Sequence, residues 1–177
     1  LEILLVEDDA DTRANLCDIL ELHGHHVVAV GSAKAALALA ENATFCVVIL
    51  DWRLPDGTAE EVLPDLKRLS PDADVIVVTG YGDMDTTIAA FRSGAADYIL
   101  KPVNPDALQN SLQRMIRQRH TRAELKREQE FADRILRTAE AVVLVLDLDG
   151  NVVRFNPYFE RVSGWSTDAL AGKDWFE

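Results

Sequence analysis

Five side chains in this 177-residue sequence carry groups that could act together on a metal ion and on phosphorus. They are Glu7 and Asp8 in LLVEDDAD, Asp51 in ILDWRLPDG, Thr79 in VVTGYGD and Lys101 in ADYILKPV. Four of the five residues after Val6 (Glu7, Asp8, Asp9 and Asp11) are acids. Like charges crowded at the end of an apolar run repel one another and resist desolvation. A hard divalent cation among them offsets that cost, and oxygen-only ligation selects Mg²⁺ or a relative. Asp51 beside such an ion could attack phosphorus and become an aspartyl phosphate. Lys101 could pair with a phosphoryl oxygen as a compact charge, and Thr79 could donate its hydroxyl to another. Gly80, lacking a Cβ, would let its backbone N–H come close.

These residues act together only if the fold gathers them. Strand candidates are 2–6, 26–30, 45–50, 74–79 and 96–99, rich in Val and Ile and mostly unbroken by polar residues. Such runs suit strands buried on both faces of a parallel sheet. Helix candidates lie between them, near 10–22, 32–42, 58–69 and 84–93, with apolar residues at helical spacing. Ser32 suits an N-cap, and Gly24 and Gly94 suit helix stops. The alternation predicts an α/β fold, a doubly wound five-stranded parallel sheet with right-handed crossovers. Ligands bind such sheets at the carboxyl ends of the strands, where the strand order reverses. Glu7, Asp8, Asp51, Thr79 and Lys101 each follow or close a predicted strand, so all fall on that edge.

A fifth helix is predicted to begin at Pro105, which suits the first helical position. No Gly or Pro stops it before about 137, a length of roughly 50 Å at ~1.5 Å per residue. Leu108, Met115, Arg122, Gln129 and Leu136 recur every seven residues, and Leu125 and Ala132 form a second pair at that spacing. The seam is patchy; we expect a two-chain coiled coil in preference to a single solvated helix. After it, AVVLVLDLDGNVVRF reads as a hairpin turning at Asp149-Gly150, and NPYFERVSGW as a short helix closed by Gly164. Two strands and short helices cannot bury a core by themselves, so 138–177 is expected to be part of a larger domain.

Charge is uneven. The net of −12 falls wholly within 1–113, while 114–137 carries +4 and 138–177 carries −4. The acidic total speaks against general nucleic-acid affinity, and the short mixed-sign basic stretch reads as a solvated helix face. No basic helix-turn-helix pattern appears. Cys17 and Cys46 lack metal-ligand spacing and are expected to be free thiols. His23, His25, His26 and His120 are expected in surface or packing roles. No apolar run reaches the ~18 residues a membrane span needs, and the expected setting is the cytoplasm.

The set VEDD, ILDWRLPDG, VVTGYGD and ADYILKPV resembles the receiver domain of two-component response regulators, over roughly residues 1–120. The resemblance implies a flavodoxin-like receiver in which Asp51 is the phosphoacceptor. It implies that Asp8 ligates Mg²⁺ directly, Glu7 through water, and Arg53 through its backbone carbonyl. Thr79 and Lys101 would bind the phosphoryl group, and Tyr98 would be the aromatic switch residue that turns inward when Thr79 moves. Lys101-Pro102 would be a cis peptide. Asp9 and Asp11 are then solvent-facing or helix N-terminal charges. Arg53 and Tyr81 would lie near the path of the water that attacks the aspartyl phosphate.

Residues after the long helix resemble the first half of a PAS domain, through the Asp-Gly hairpin, Asn156, and SGW leading to ALAGK. The expected domains are therefore 1–120, a receiver; 121–137, a helical linker continuous with the fifth helix; and 138–177, a partial α+β PAS segment. The implied partners are a histidine kinase or phosphotransfer protein, and a second copy of the chain paired through the fifth helix and linker. The implied parent is a histidine kinase with this region as its front end. A cyclic-dinucleotide synthase is the alternative, and so is an Mg²⁺-dependent phosphatase with an aspartate nucleophile. Arg53 stands where such phosphatases usually have a second acid.

Overall fold

The computed structural model describes residues 1–80, 94–166, 170, 172, 173 and 175. The helix expected near 84–93, and Tyr81, lie outside the described residues. The chain divides into two compact units, Leu1–Ile116 and Arg117–Glu177.

The first unit opens with β1 (Glu2–Val6), α1 (Ala10–Leu22), β2 (His26–Val30), α2 (Ala33–Ala40) and β3 (Val47–Asp51). A small antiparallel pair follows, β4 (Arg53–Leu54) and β5 (Gly57–Thr58), then α3 (Ala59–Leu69), β6 (Asp74–Thr79) and β7 (Asp97–Leu100). The helix α4 (Pro105–Thr138) begins in this unit. Five strands pair in parallel in the order β2-β1-β3-β6-β7. The order reverses at β1, which places the switch point at the ends of β1 and β3.

Alternation along each strand builds a core on both sides of the sheet. Leu4, Val6, Val48, Leu50, Val75 and Val77 point to one face, where α2 and α3 contribute Ala36, Leu63 and Leu66. Ile3, Leu5, Val47, Ile49, Ile76 and Val78 point to the other, against Leu16 and Leu20 of α1 and Leu108, Leu112 and Met115 of α4. Burial on both faces is why these strands read as continuous apolar runs. On β7, Asp97 accepts hydrogen bonds from the Ser111 hydroxyl and the Arg114 guanidinium, tying the first turns of α4 to the sheet edge.

Helix ends follow local chemistry. Asp9 N-caps α1 by accepting from Thr12 N at 2.8 Å, and Ser32 caps α2 through Ala35 N. Thr58 and Glu61 form a capping box at α3, the reciprocal arrangement that satisfies two first-turn donors. Gly24 ends the turn after α1 at φ 79°, a conformation costly for a residue with a Cβ. Observed bounds match the expected strands at β1, β2 and β6. The strand expected at 45–50 runs Val47–Asp51, and that expected at 96–99 runs Asp97–Leu100. Phe45 is buried in the core without pairing in the ladder, whereas Asp51 pairs with Val78.

In the second unit, β8 (Leu144–Leu146) and β9 (Val152–Phe155) form an antiparallel hairpin, followed by α5 (Pro157–Ser163). Gly150 takes φ 89° in the turn and Gly164 takes φ 77° after α5. Val152, Phe155 and Phe159 form the buried cluster, the two rings 4.6 Å apart. Asn156, 3% exposed, organises the unit. Its Nδ2 donates to the carbonyls of Leu136 and Ala141 at 3.1 and 2.8 Å; its Oδ1 accepts from Val143 N and Phe159 N. One side chain thus closes the end of α4 and caps α5.

Candidate functional site

Four of the five parallel strands deliver a site residue, their last residue or the next one, to the same edge. β1 ends one residue before Glu7, β3 ends on Asp51, β6 ends on Thr79, and β7 ends one residue before Lys101. Backbone bonds extend the ladder past the strand ends: Glu7 N donates to Val30 O, Trp52 N to Val78 O, and Lys101 N to Thr79 O. Three carboxylates arrive together. One oxygen from each of Glu7, Asp8 and Asp51 lies within 4.8 Å of the others.

Glu7 and Asp51 are buried, at 1% and 7% exposure, while Asp8 is exposed. Lys101 Nζ stands between the buried pair, 2.7 Å from Glu7 Oε2 and 2.7 Å from Asp51 Oδ2. Lys101, expected to pair with a phosphoryl oxygen, here holds together two acids that would otherwise repel. Burial pushes the Glu7 carboxyl above its usual range, opposed by the hydrogen bond from Lys101. Burial alone would lower the Lys101 ammonium, but hydrogen bonds to Asp51 and Glu7 outweigh it and raise the value. One ammonium against three carboxylates leaves the cluster with excess negative charge. A set of hard oxygen donors in that condition fits a hard divalent cation.

The other acids after Val6 have separate duties. Asp9 caps α1, and its hydrogen bonds with Thr12 hold its carboxyl below the usual range. Asp11 lies exposed in the first turn of α1, where a negative charge suits the helix dipole. Thr79 is buried, its hydroxyl 3.4 Å from Gly80 O. Arg53 is exposed, and its backbone N–H reaches Asp51 Oδ1 at 3.3 Å. Tyr98 lies on β7 and is 38% exposed. The Lys101-Pro102 peptide is cis.

Two braces were not anticipated. Asp56, in the turn after β4, accepts from Ala33 N and Lys34 N at 2.9 Å each, and so ties the loop following Asp51 to the start of α2. Those bonds hold its carboxyl below the usual range. Arg13, on α1, donates from Nη1 to Glu7 O at 2.7 Å and to Asp8 O at 3.1 Å. The only sequence signal for Arg13 is a cation in the first turns of a helix, where the dipole disfavours it.

Residues 3–113 match the family described as response regulator receiver domain. The chain belongs to that family. Residues 130–177 of this receiver protein match the PAS fold. Response regulator protein FleR of Pseudomonas aeruginosa is 41% identical over 107 residues, 60% of this chain and 23% of FleR. Photosynthetic apparatus regulatory protein RegA of Rhodobacter capsulatus is 34% identical over 110 residues, 62% of this chain and 60% of RegA. The chain therefore spans between about a quarter and 60% of the length of these relatives. Among solved structures, a CheY-like receiver domain protein from Methanospirillum hungatei aligns with TM-score 0.63 and 34% identity, over 68% of this chain and 97% of its own. A response regulator from Burkholderia pseudomallei, with a phosphorylated aspartic acid, calcium ion and citrate, aligns with TM-score 0.61 and 27% identity, over 76% and 83%. Among the described residues no helix is long and apolar enough to cross a membrane.

Proposed function

We propose that this receiver is switched by phosphorylation of Asp51. The carrying observation is the convergence of Glu7, Asp8, Asp51 and Lys101 on one strand edge, with the Lys101 ammonium against the Asp51 carboxylate. The Burkholderia structure supports the reading, since its fold holds a phosphorylated aspartic acid and a divalent cation. In the proposed step an Asp51 carboxylate oxygen forms a bond to phosphorus. The bond from phosphorus to the donor breaks, and its electron pair leaves with the donor group. The donor is a phosphohistidine of a kinase or phosphotransfer protein, or a small acyl phosphate. Carboxylates of Glu7, Asp8 and Asp51 and the Arg53 carbonyl would hold Mg²⁺. Bound there, the ion supplies positive charge to the transferring phosphoryl oxygens. Lys101 releases Asp51 and pairs with a phosphoryl oxygen, and the Thr79 hydroxyl donates to another. Thr79 and Tyr98 then change position together and alter the β7 edge.

The proposed domains are 1–120, the receiver; 121–137, the linker; and 138–177, the PAS segment. The chain pairs with a second copy through α4, whose exposed Leu125, Phe131 and Ile135 support self-association. A PAS segment after a receiver favours the front end of a histidine kinase in the cytoplasm over a cyclic-dinucleotide synthase. Arg53 in place of a second acid disfavours the phosphatase reading. The test is intact mass after incubation with Mg²⁺ and acetyl phosphate. Wild type gains one phosphoryl mass; Asp51→Asn, and wild type given EDTA first, do not. A gain that survives Asp51→Asn contradicts the assignment.

A further inference from the structure

We infer that Arg13 is a positioning residue for the metal pocket, acting through the backbone that carries Glu7 and Asp8. The inference rests on the proposed Mg²⁺-dependent reading of that pocket. Between the last paired residue of β1 and the first turn of α1, the chain has to reverse while presenting two acids. The carbonyls of Glu7 and Asp8 fall in this gap. Arg13 Nη1 takes both, at 2.7 and 3.1 Å, and its own backbone N donates to Asp9 O at 2.9 Å. The loop is held from the other side as well: Glu7 N donates to Val30 O, and Asp9 caps α1 through Thr12 N.

Space has been left for this guanidinium. Arg13 is half-buried, and a Cβ built on Gly31 would stand 3.2 Å from its Nη1. Gly31 has no positive φ, so the lack of a side chain there answers the approach of Arg13 and not backbone strain.

With a divalent cation in the pocket, charge argues against an arginine here. It lies at the positive end of α1 and beside a cluster that would receive a divalent cation, so it repels both. This makes the sign of its effect decisive. If Arg13 acts only as a charge, removing it tightens Mg²⁺ binding. If it holds the acids in position, removing it weakens binding by the tenfold to hundredfold loss common for outer partners of metal ligands.

The experiment measures Mg²⁺ affinity by calorimetry on the full 177-residue chain, for wild type, Arg13→Ala, Arg13→Lys and Gly31→Ala. Melting temperature in EDTA is recorded beside each. We expect Mg²⁺ affinity about tenfold weaker in Arg13→Ala. Arg13→Lys keeps the charge on a shorter stem without the planar guanidinium, so its ammonium falls short of the place Nη1 holds between the two carbonyls, and it weakens binding too. Gly31→Ala crowds the same contact while leaving the arginine in the sequence, and moves affinity the same way. Melting in EDTA should shift by no more than a few degrees in the last two variants. Tighter binding in Arg13→Ala, or all three variants within twofold of wild type, overturns the inference and leaves the proposed function standing. Wild type that binds no Mg²⁺ overturns both.

Discussion

Replacing Lys101 with Met tests the idea that one ammonium keeps two buried acids in place. Glu7 has 1% of its side chain exposed and Asp51 8%, while Lys101 keeps 29%. Met fills most of the volume but leaves both carboxylates without their counter-charge. Removing one partner of a buried ion pair costs about 3–5 kcal/mol. The Lys101 tip reaches water, so re-solvation of the acids places the expected loss near the lower end, about 3 kcal/mol. The assay is urea unfolding followed by circular dichroism, in EDTA so that no cation substitutes for Lys101. The loss should depend on pH. Glu7 has a folded-state pKa raised by burial, and without Lys101 it rises further. The folded state then binds the extra proton, so the variant is most stable below the unfolded value of about 4.5 and weakens as pH climbs through the folded value. Adding Glu7→Gln to Lys101→Met should recover much of the loss at neutral pH. A Lys101→Met protein as stable as wild type at pH 7 would refute the reasoning.

Other outcomes follow from particular contacts. Asn156→Ala removes a buried side chain that serves five backbone groups, and should cost the second unit about 3 kcal/mol; faster amide exchange at Val143 and Phe159 is the readout. Asp56→Ala frees Ala33 N and Lys34 N, whose amide exchange should accelerate. Because the Asp56 pKa is depressed in the folded state, its contribution is present above the unfolded carboxylate value and vanishes as pH falls through the folded one, so variant and wild type converge in acid. Leu66→Ala, at a site 1% exposed between sheet and α3, should cost about 2–5 kcal/mol in chemical unfolding. Light scattering should give a dimer mass for wild type and a monomer mass for Phe131→Glu; a wild-type monomer with and without beryllofluoride contradicts pairing through α4.

The central strands β1, β3 and β6 were readable because burial on both faces writes itself as nearly unbroken apolar runs. The end of α1 was readable because Gly24 marks it chemically; that Asp9 caps its start through Thr12 N shows only once the loop is folded. β4 and β5 escaped because two-residue strands have no periodicity, and the ends of β3 shifted because Phe45 is buried without being paired. The placement of Glu7, Asp8, Asp51, Thr79 and Lys101 on one edge was legible, since each abuts a strand end and strand ends converge by topology. Arg13 and Asp56 were not legible in their roles. Each acts on backbone groups of a loop from another element, and that contact exists only after the loops have closed. The division of labour among the acids after Val6 was only half visible: the pattern shows four acids, while burial separates Glu7 from the capping Asp9.

The most direct test of the central claim is to locate the phosphoryl group. The chain is incubated with Mg²⁺ and acetyl phosphate, the acyl phosphate is trapped by borohydride reduction, and the peptides are sequenced by mass spectrometry. The account predicts homoserine at position 51 and at no other acid. Reduction at Asp8 or Glu7 with Asp51 intact, or phosphate on His23, His25, His26 or His120, would contradict it.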